Sequence, residues 1–349
     1  MTSCVLSSRT SDLVSDVTVV PKTPPPDHPA DARQPSGIYV LANDAMQAWT
    51  KSFVASLRHY NPSLPLCLIP FDDDCSRVAT LVETAGGTVL DRPDVFRRLE
   101  RMGETLELGF APYGKHWFRR FAVFDGPYDR FMYLDTRVVV LGPLQPIIDE
   151  VVADVCDVVH FDRMINEVYR DGPLRRRFVL AGRGRGFNSG SWASRAGLFT
   201  MGQMETATTT LSERRDQMNP RNTDQFFLNF LCDDHAVPAA QFADLHEDYT
   251  HVCWAGAGGA IYEDAAGAWR RWQFRSAEHR RRLPFVHWGG YRLSPSMPQY
   301  HLFARFQSSR YGLGRRVSDW LRGLPGRCLA TLRGNRWFNT LYHRYRAVS

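Results

Sequence analysis

The chain has 349 residues, of which 44% are hydrophobic and 23% charged, and its formal net charge is +6. This composition allows a large buried core and excludes collagen-like, coiled-coil and largely disordered classes. No apolar run approaches the roughly 18 residues that a membrane-spanning helix needs, so the sequence predicts none.

The start of the chain and its cysteines indicate a cytoplasmic protein. Residues 1–16 lack the basic flank and the apolar stretch of a secretory signal. The seven cysteines are scattered and form no C-x-x-C pair, which argues against a disulfide framework or a clustered zinc site. Residues 1–36 are rich in Ser, Thr, Asp and Pro, and we expect them to form a disordered leader.

Strand and helix patterns alternate in the first third of the chain. Apolar runs at 37–43, 64–71 and 88–91 predict short buried strands, and apolar residues at helical spacing predict helices over 46–60 and 76–85. Strands that alternate with helices in this way indicate a parallel sheet with crossover helices. The expected fold class is therefore α/β.

The middle of the chain contains an apolar strand that ends in an acid. We expect a helix over 115–124, then a strand that reaches Asp135, and a second apolar run just after Arg137. An acid at the carboxyl end of a buried parallel strand faces the ligand crevice of an open α/β sheet. The alternative is an aspartate that caps a turn, and the strand pattern alone does not decide between them.

The second half of the chain is less regular. A glycine-rich loop over 183–190 leads into a strand, and a helix is expected over 197–214. A short helix is expected to begin near Thr223, and the run 285–292 predicts a strand that ends in a glycine turn.

Six short segments carry most of the functional information. They are LANDA (41–45), GKHWFRRF (114–121), YLDTR (133–137), FNSG (187–190), DQFFLN (224–229) and HWGGYRL (287–293). In content and order they resemble the nucleotide-sugar glycosyltransferases of the GT-A fold, most closely the family 8 group that includes glycogenin and galactosyltransferases. The resemblance covers roughly 37–293 and implies a GT-A-like domain over 37–300, with a mostly parallel central sheet flanked by helices.

The resemblance also implies an activity. Enzymes of this family move a sugar from a nucleotide diphosphate sugar to an acceptor with retention of anomeric configuration. For this chain the resemblance implies a UDP-sugar as the donor and a carbohydrate, lipid or protein acceptor. The alternative is a catalytically inactive GT-A-fold protein that binds nucleotide or carbohydrate.

The resemblance assigns expected roles to individual residues. Contacts to the donor are expected from Asn43, Asp44, Lys115, Asp135, Arg137, Asn188, Ser189, His287, Gly290 and Arg292, and the reacting face is expected at Asp224 and Gln225. Each position also has a structural alternative. Asn43 and Asp44 could cap the next helix, Lys115 could be a surface charge, and Asp224 could stabilise a helix N-terminus.

The metal site expected from the family is altered in this sequence. When the sugar is transferred, negative charge develops on the departing nucleotide diphosphate and must be neutralised. Mn²⁺ or Mg²⁺, held by carboxylates and an imidazole, usually does this. Asp135 and His287 match two of the family's three side-chain ligands, but Arg137 replaces the second acid of the Asp-x-Asp motif. The family's phosphate-binding lysine falls at Leu293, and the adjacent Arg292 would point the other way on a strand.

Three interpretations of Arg137 stay open at this point. Its guanidinium could face the diphosphate in place of the metal charge. The metal could persist, bound by Asp135, His287, phosphates and water. The third interpretation is an inactive site.

Two segments are rich in arginine. Residues 175–186 contain five arginines, which could grip an anion or form a solvated lid. Residues 301–349 contain ten arginines, no lysine and one acid, interleaved with Trp, Leu and Tyr, and are expected to form a basic helical extension. Such a segment could pack on the folded body, or it could bind the anionic surface of a membrane on the membrane's inner, cytoplasmic side. The absence of a recognised nucleic-acid-binding module argues against a nucleic-acid partner.

If the extension binds membranes, its removal will abolish that binding. We expect the full chain to sediment with vesicles that contain phosphatidylserine, and the truncated chain to remain in the supernatant. Raising the salt concentration should release the full chain, because screening weakens the attraction between arginines and anionic lipid. Equal sedimentation of the two chains would contradict the membrane hypothesis.

Overall fold

A computed structural model describes residues 33–106, 113–219, 223–257, 259–272 and 280–307. Nearly all of the expected leader, and the basic extension after Gln307, lie outside these residues. Within the described part of the chain, no helix combines the length and the apolar character that crossing a bilayer requires.

The described residues contain twelve strands. They are β1 (Gln34–Ala42), β2 (Leu66–Pro70), β3 (Thr88–Val89), β4 (Tyr128–Asp135), β5 (Val138–Val140), β6 (Val158–His160), β7 (Ser191–Arg195), β8 (Ala239–Gln241), β9 (Ile261–Glu263), β10 (Trp269–Trp272), β11 (Arg280–Arg282) and β12 (Phe285–His287).

Helices connect the strands. The α-helices are α1 (Gln47–Tyr60), α2 (Ser76–Thr84), α3 (Pro93–Thr105), α4 (Gln145–Asp149), α5 (Pro173–Leu180), α6 (Met201–Ser212), α7 (Thr223–Asp234), α8 (Phe242–Leu245) and α9 (Tyr300–Gln307). Shorter-pitched 3₁₀ helices cover Asp44–Met46, Gly114–Asp125, Ile165–Glu167 and Arg215–Gln217.

Seven strands form the central sheet in the order β3-β2-β1-β4-β7-β6-β8. The strands β3, β2, β1 and β4 are mutually parallel, whereas β7 runs antiparallel to both of its neighbours. The carboxyl ends of β1 and β4 therefore meet at one edge, where Leu41 lies opposite Asp135. This architecture confirms the predicted α/β class with a mostly parallel sheet flanked by helices.

Both faces of the central sheet are buried, as parallel strands require. Along β1, Ile38 and Val40 enter one core with α1, α2 and β12, while Tyr39 and Leu41 enter the other core with α3, α6 and α7. The short strand β12 pairs antiparallel with β5, so that His287 lies opposite Val138. This pairing brings the last predicted motif of the chain next to the end of β4.

Two boundaries differ from the sequence prediction. The first strand begins at Gln34 rather than at 37, because Gln34 and Ser36 already pair with β4. Residues 301–307 of the expected extension belong to α9, which packs on α1: Phe303 lies 4.7 Å from the Trp49 ring, and Ser52 Oγ donates to the Phe303 carbonyl. A truncation that tests the extension should therefore begin after Gln307.

The arginine-rich segment 175–186 also differs in part from its prediction. Its first half belongs to α5, which buries Leu174 and Phe178. Arg177 forms an ion pair with Asp234, and Arg183 donates to the carbonyl of Asp233. The segment is thus anchored to the end of α7.

If α9 is part of the folded body, its aromatic anchor will contribute to stability. We expect Phe303→Ala to lower the free energy of unfolding by about 3–5 kcal/mol, because it leaves a cavity beside Trp49. Urea denaturation measures the change. The matched truncation Leu180→Ala, at a side chain that is 88% exposed, should change stability by less than about 0.5 kcal/mol. A loss below about 1 kcal/mol for Phe303→Ala would contradict the packing described here.

Candidate active site

Two predicted segments that are far apart in sequence meet at the carboxyl edge of the sheet. Asp135 ends β4, and His287 ends β12. The Trp288 amide donates to the Arg137 carbonyl over 2.8 Å, and His287 Nε2 lies 3.4 Å from Asp135 Oδ2. The strand-end acid and the late histidine turn therefore form one site.

Two glycines make this approach possible. A Cβ on Gly190 would lie 2.5 Å from Asp135 Oδ2 and 2.7 Å from His287 Cε1, which is closer than any side chain allows. A Cβ on Gly289 would lie 2.3 Å from the Trp254 ring. That ring stacks on His287 with a centroid distance of 4.9 Å. Gly190 of FNSG and Gly289 of HWGG are thus required by packing within the site.

A buried arginine joins three of the predicted segments. Arg120 is 4% exposed, and its Nη1 lies 2.7 Å from Asp224 Oδ2. The same nitrogen donates to Ser189 Oγ over 3.0 Å, and Nη2 lies 3.6 Å from Asp135 Oδ1. The guanidinium also covers the Tyr133 ring at 4.8 Å. Arg120 is therefore the centre of a network that fixes both predicted acids.

This network sets the ionisation of Asp135. Burial acts to raise the pKa of its carboxyl, but the Arg120 guanidinium and His287 outweigh burial, and the Tyr133 hydroxyl donates to it over 3.0 Å. The pKa of Asp135 is consequently held well below its usual value. Burial likewise opposes the charge of Arg120, while Asp224, Tyr133 and Asp135 raise its pKa. Asp135 and Arg120 are both charged at neutral pH.

The segment GKHWFRRF offers three basic residues, Lys115, Arg119 and Arg120, and Lys115 lies outside this network. Its Nζ forms a 2.7 Å ion pair with Glu104 on α3, at the surface. The structure thus places Lys115 as the surface charge of the alternative prediction. Arg120, five residues later in the same segment, lies in the site instead.

Asp44 is a helix cap. Its carboxylate accepts bonds from the amides of Val78 at 2.9 Å and Arg77 at 3.1 Å, at the start of α2. Burial would raise the pKa of Asp44, but these bonds and the Arg77 guanidinium lower it. Asp44 therefore caps a helix, as in the alternative prediction. The helix is α2, whereas the prediction named the next helix along the chain. Asn43 is half-buried and donates to Asp72 Oδ2 over 2.7 Å.

The FNSG loop and α7 are locked together by an asparagine. The Asn229 side chain accepts from the Phe187 amide and donates to the Phe187 carbonyl, both at 2.9 Å. One residue further along the loop, Asn188 Oδ1 accepts from the Gly190 amide over 2.6 Å. The Ser189 amide donates a hydrogen bond to Gln225 Oε1 over 3.4 Å. Asn188, Ser189 and Gln225 are thereby held beside Arg120 and its two acids.

The residues of this site do not fit the divalent cation that the family resemblance implies. In the described residues, no group of three His, Cys, Asp or Glu side chains is placed to hold a metal ion. Asp135 is already engaged by Arg120 and Tyr133. Arg137, at the position of the missing acid, would repel a cation. Its half-exposed side chain makes no ion pair in the described part of the chain, and its buried Nε has no hydrogen-bond partner there.

The last two predicted positions line the turn after β12. Gly290 has φ +75°, a conformation that favours glycine. No atom lies within 4 Å of the place where its Cβ would be. Arg292 and Leu293 are exposed. Their contact with a phosphate stays a prediction.

Comparison with known proteins shows that this chain shares its fold with a solved structure. The sequence matches no protein-family model, and a search of curated proteins found no match. Among solved structures, the bifunctional glycosyltransferase WbbM is similar with a TM-score of 0.51 and 13% identity, over 84% of this chain and 52% of WbbM. At this identity the similarity supports the fold alone.

Two further solved structures are more distantly similar. The galactosyltransferase LgtC, solved with donor and acceptor sugar analogs, has a TM-score of 0.47 and 13% identity, over 79% of this chain and 97% of LgtC. Mouse xyloside xylosyltransferase 1 has a TM-score of 0.44 and 14% identity, over 60% of this chain and 85% of that enzyme. The similarity to WbbM alone supports a shared α/β fold, and the candidate site lies at the carboxyl edge of the central sheet.

If Arg120 is the counter-ion of the site, its removal will destabilise the protein most at neutral pH. We expect Arg120→Met to lower the free energy of unfolding by about 3–5 kcal/mol, because it removes the buried guanidinium that pairs with Asp224 and Asp135. The pKa of Asp135 is lowered by folding, so its contribution is present above about pH 4 and is lost as the pH falls below that value. The difference in free energy of unfolding between Arg120→Met and the unaltered protein should therefore become smaller at acidic pH.

Denaturation in urea at pH 7, 5 and 3 measures this dependence. The control Arg98→Met removes an exposed arginine that pairs with Glu205, and it should lose less than about 1 kcal/mol at each pH. A deficit for Arg120→Met that is independent of pH would contradict the assignment.

Proposed function

We propose that this protein transfers a sugar from a nucleotide diphosphate sugar, with UDP as the nucleotide, to a carbohydrate, lipid or protein acceptor. One observation carries the proposal: Asp135, His287 and the Arg120–Asp224 pair converge at the carboxyl edge of the parallel sheet. Such edges bind ligands in open α/β folds. The order of the six sequence motifs supports the same activity, and retention of configuration follows from the family resemblance.

The proposed donor site needs positive charge for the leaving diphosphate. Arg120 is already paired with Asp224 and Asp135, so its charge is balanced within the protein. Arg137 makes no ion pair in the described residues, and its half-exposed side chain follows Asp135 by two residues in the chain. A guanidinium binds phosphate oxygens in a bidentate manner and stabilises developing negative charge. We therefore assign to Arg137 the role that a metal has in the family.

The other residues divide between the sugar and the nucleotide. In the proposal, Asp224 and Gln225 form the reacting face, where Arg120 holds the Asp224 carboxylate in place. Asn188 and Ser189 contact the sugar or ribose. Donor contacts at the outer edge of the site are assigned to Asn43, Gly290 and Arg292.

Asp44 and Lys115 are not included in the proposed donor site, because each has the structural role described above.

A second candidate function is binding without catalysis. The Asp-Thr-Arg sequence in place of Asp-x-Asp favours it, because the family's metal ligand is lost at Arg137. In this case the site would hold nucleotide or carbohydrate and release no product. The two functions differ in whether UDP is cleaved from a bound donor.

The proposal predicts slow UDP release from at least one UDP-sugar. We expect the rate to be unchanged by EDTA and by added Mn²⁺, because the neutralising charge belongs to Arg137. Arg137→Ala should reduce the rate about 100-fold, as the loss of a group that stabilises a developing anion does. The control Arg97→Ala, at an exposed arginine on α3, should retain the rate of the unaltered protein.

Each outcome has a distinct meaning. UDP binding without release supports the inactive alternative. Neither binding nor release across a broad panel of nucleotide sugars would refute both functions. Activity that EDTA abolishes and Mn²⁺ restores would overturn the role assigned to Arg137 and leave the transferase proposal intact.

A further inference from the structure

Two buried charged residues behind His287 take no part in the proposed chemistry. Asp162 follows β6 and is 3% exposed, and Arg271 lies in β10 and is 1% exposed. In the described residues, the Asp162 carboxylate makes no hydrogen bond of normal geometry, although the Cys253 backbone acts on it, and Nε and Nη1 of Arg271 have no partner there. The two side chains form no direct ion pair. Such a pair of buried, opposite charges needs an explanation.

Asp162 and Arg271 are close enough for the charge of each to affect the pKa of the other. Burial raises the pKa of Asp162 to about 7, while the Cys253 backbone and Arg271 act to lower it. Gln241 borders the same region: its Nε2 and the Asp162 amide both donate to the His251 carbonyl, at 2.9 and 3.2 Å. The Oε1 atom of Gln241 is also buried without a partner in the described chain. Polar atoms arranged in this way are typically bridged by ordered water.

Arg271 is connected to the candidate active site through Trp254. Its remaining nitrogen, Nη2, donates to the Trp254 carbonyl over 2.6 Å. The Trp254 ring stacks on His287, with 21° between the ring planes. On either side of Trp254, the Ala255 amide donates to the His287 carbonyl and the His287 amide donates to the Cys253 carbonyl.

The orientation of the His287 ring depends on this packing. The ring is 2% exposed, and neither of its nitrogens makes a hydrogen bond of normal geometry in the described residues. Its approach to Asp135 is a loose 3.4 Å contact. The stacked Trp254 ring is therefore the main constraint on the imidazole plane.

We propose that Asp162 and Arg271 form a water-bridged positioning pair that fixes Trp254 and thereby holds His287 toward Asp135. The expected effect on sugar transfer rests on the proposed function. The expected effect on the His287 ring does not, so the two can fail separately.

The first test observes His287 directly by NMR of the full chain with ¹⁵N-labelled histidine. Its imidazole signals are assigned by their loss in His287→Ala. We expect Arg271→Met to shift or broaden these signals, and Arg271→Lys, which keeps a donor for the Trp254 carbonyl, to restore them in part. The matched control Arg270→Met alters the neighbouring residue of β10, which pairs with Asp264, and should leave them unchanged.

A second variant guards against loss of the fold. If Arg271→Met does not give a cooperative thermal transition, Asp162→Asn replaces it, because this change removes the charge at nearly constant size. We expect Asp162→Asn to shift the same signals. Unchanged His287 signals in every folded variant of the pair would overturn the proposal.

The third test is a double-mutant cycle on UDP release. We expect Arg271→Met to lower kcat about tenfold with little change in KM, because it displaces a site residue without removing a donor contact. In the His287→Ala background the same change should cost less than twofold, since coupled residues are not additive. Equal losses in both backgrounds would show that Arg271 acts independently of His287 and would overturn the proposal. If the protein releases no UDP, the NMR result decides alone.

Discussion

The architecture of the site depends on one buried cation. Arg120 is enclosed by the end of β4, the FNSG loop and the start of α7, and it contacts an acidic residue on two of these elements. Removing a guanidinium from water costs several kcal/mol, which only close counter-charges and hydrogen bonds can offset. The same contacts that compensate Arg120 therefore fix Asp135 and Asp224 before any ligand arrives, and such preorganisation is what electrostatic catalysis requires.

This constraint also explains why the change at Arg137 is consistent with the rest of the site. A divalent cation needs several oxygen ligands whose charge is available to it. Here the Asp135 carboxylate is shared by Arg120, Tyr133 and His287. A cation at this point would compete with a buried arginine that cannot move away. In the proposed function, the half-exposed Arg137, two residues after Asp135, supplies the charge for the anionic ligand instead.

Much of the fold and part of the site could be predicted from local pattern. The apolar run before Asp135 predicted that strand end, and the alternation with helices predicted the parallel sheet. The last strand was expected over 285–292 but ends at His287. The segment GKHWFRRF offers three basic residues, Lys115, Arg119 and Arg120, and the resemblance did not show that Arg120 is the one that lies beside Asp135 and Asp224. Asp44 caps a helix more than thirty residues away, with a separation of 34 to Val78. Contacts of this range leave no periodic signal in the sequence.

The glycines show where sequence and structure each contribute. Gly190 and Gly289 were visible as parts of motifs, but only the geometry shows that a methyl group at either position would meet a site residue. Trp254 belongs to no motif, although its ring defines the space that Gly289 leaves open. Because His287 is oriented by packing more than by hydrogen bonds, the position of its imidazole ring in the site depends on what holds Trp254. That constraint arises from β10, which lies outside every recognisable motif and pairs with β9 and β11 in a three-stranded sheet. The chemistry proposed at the edge of the main sheet therefore depends on this second sheet.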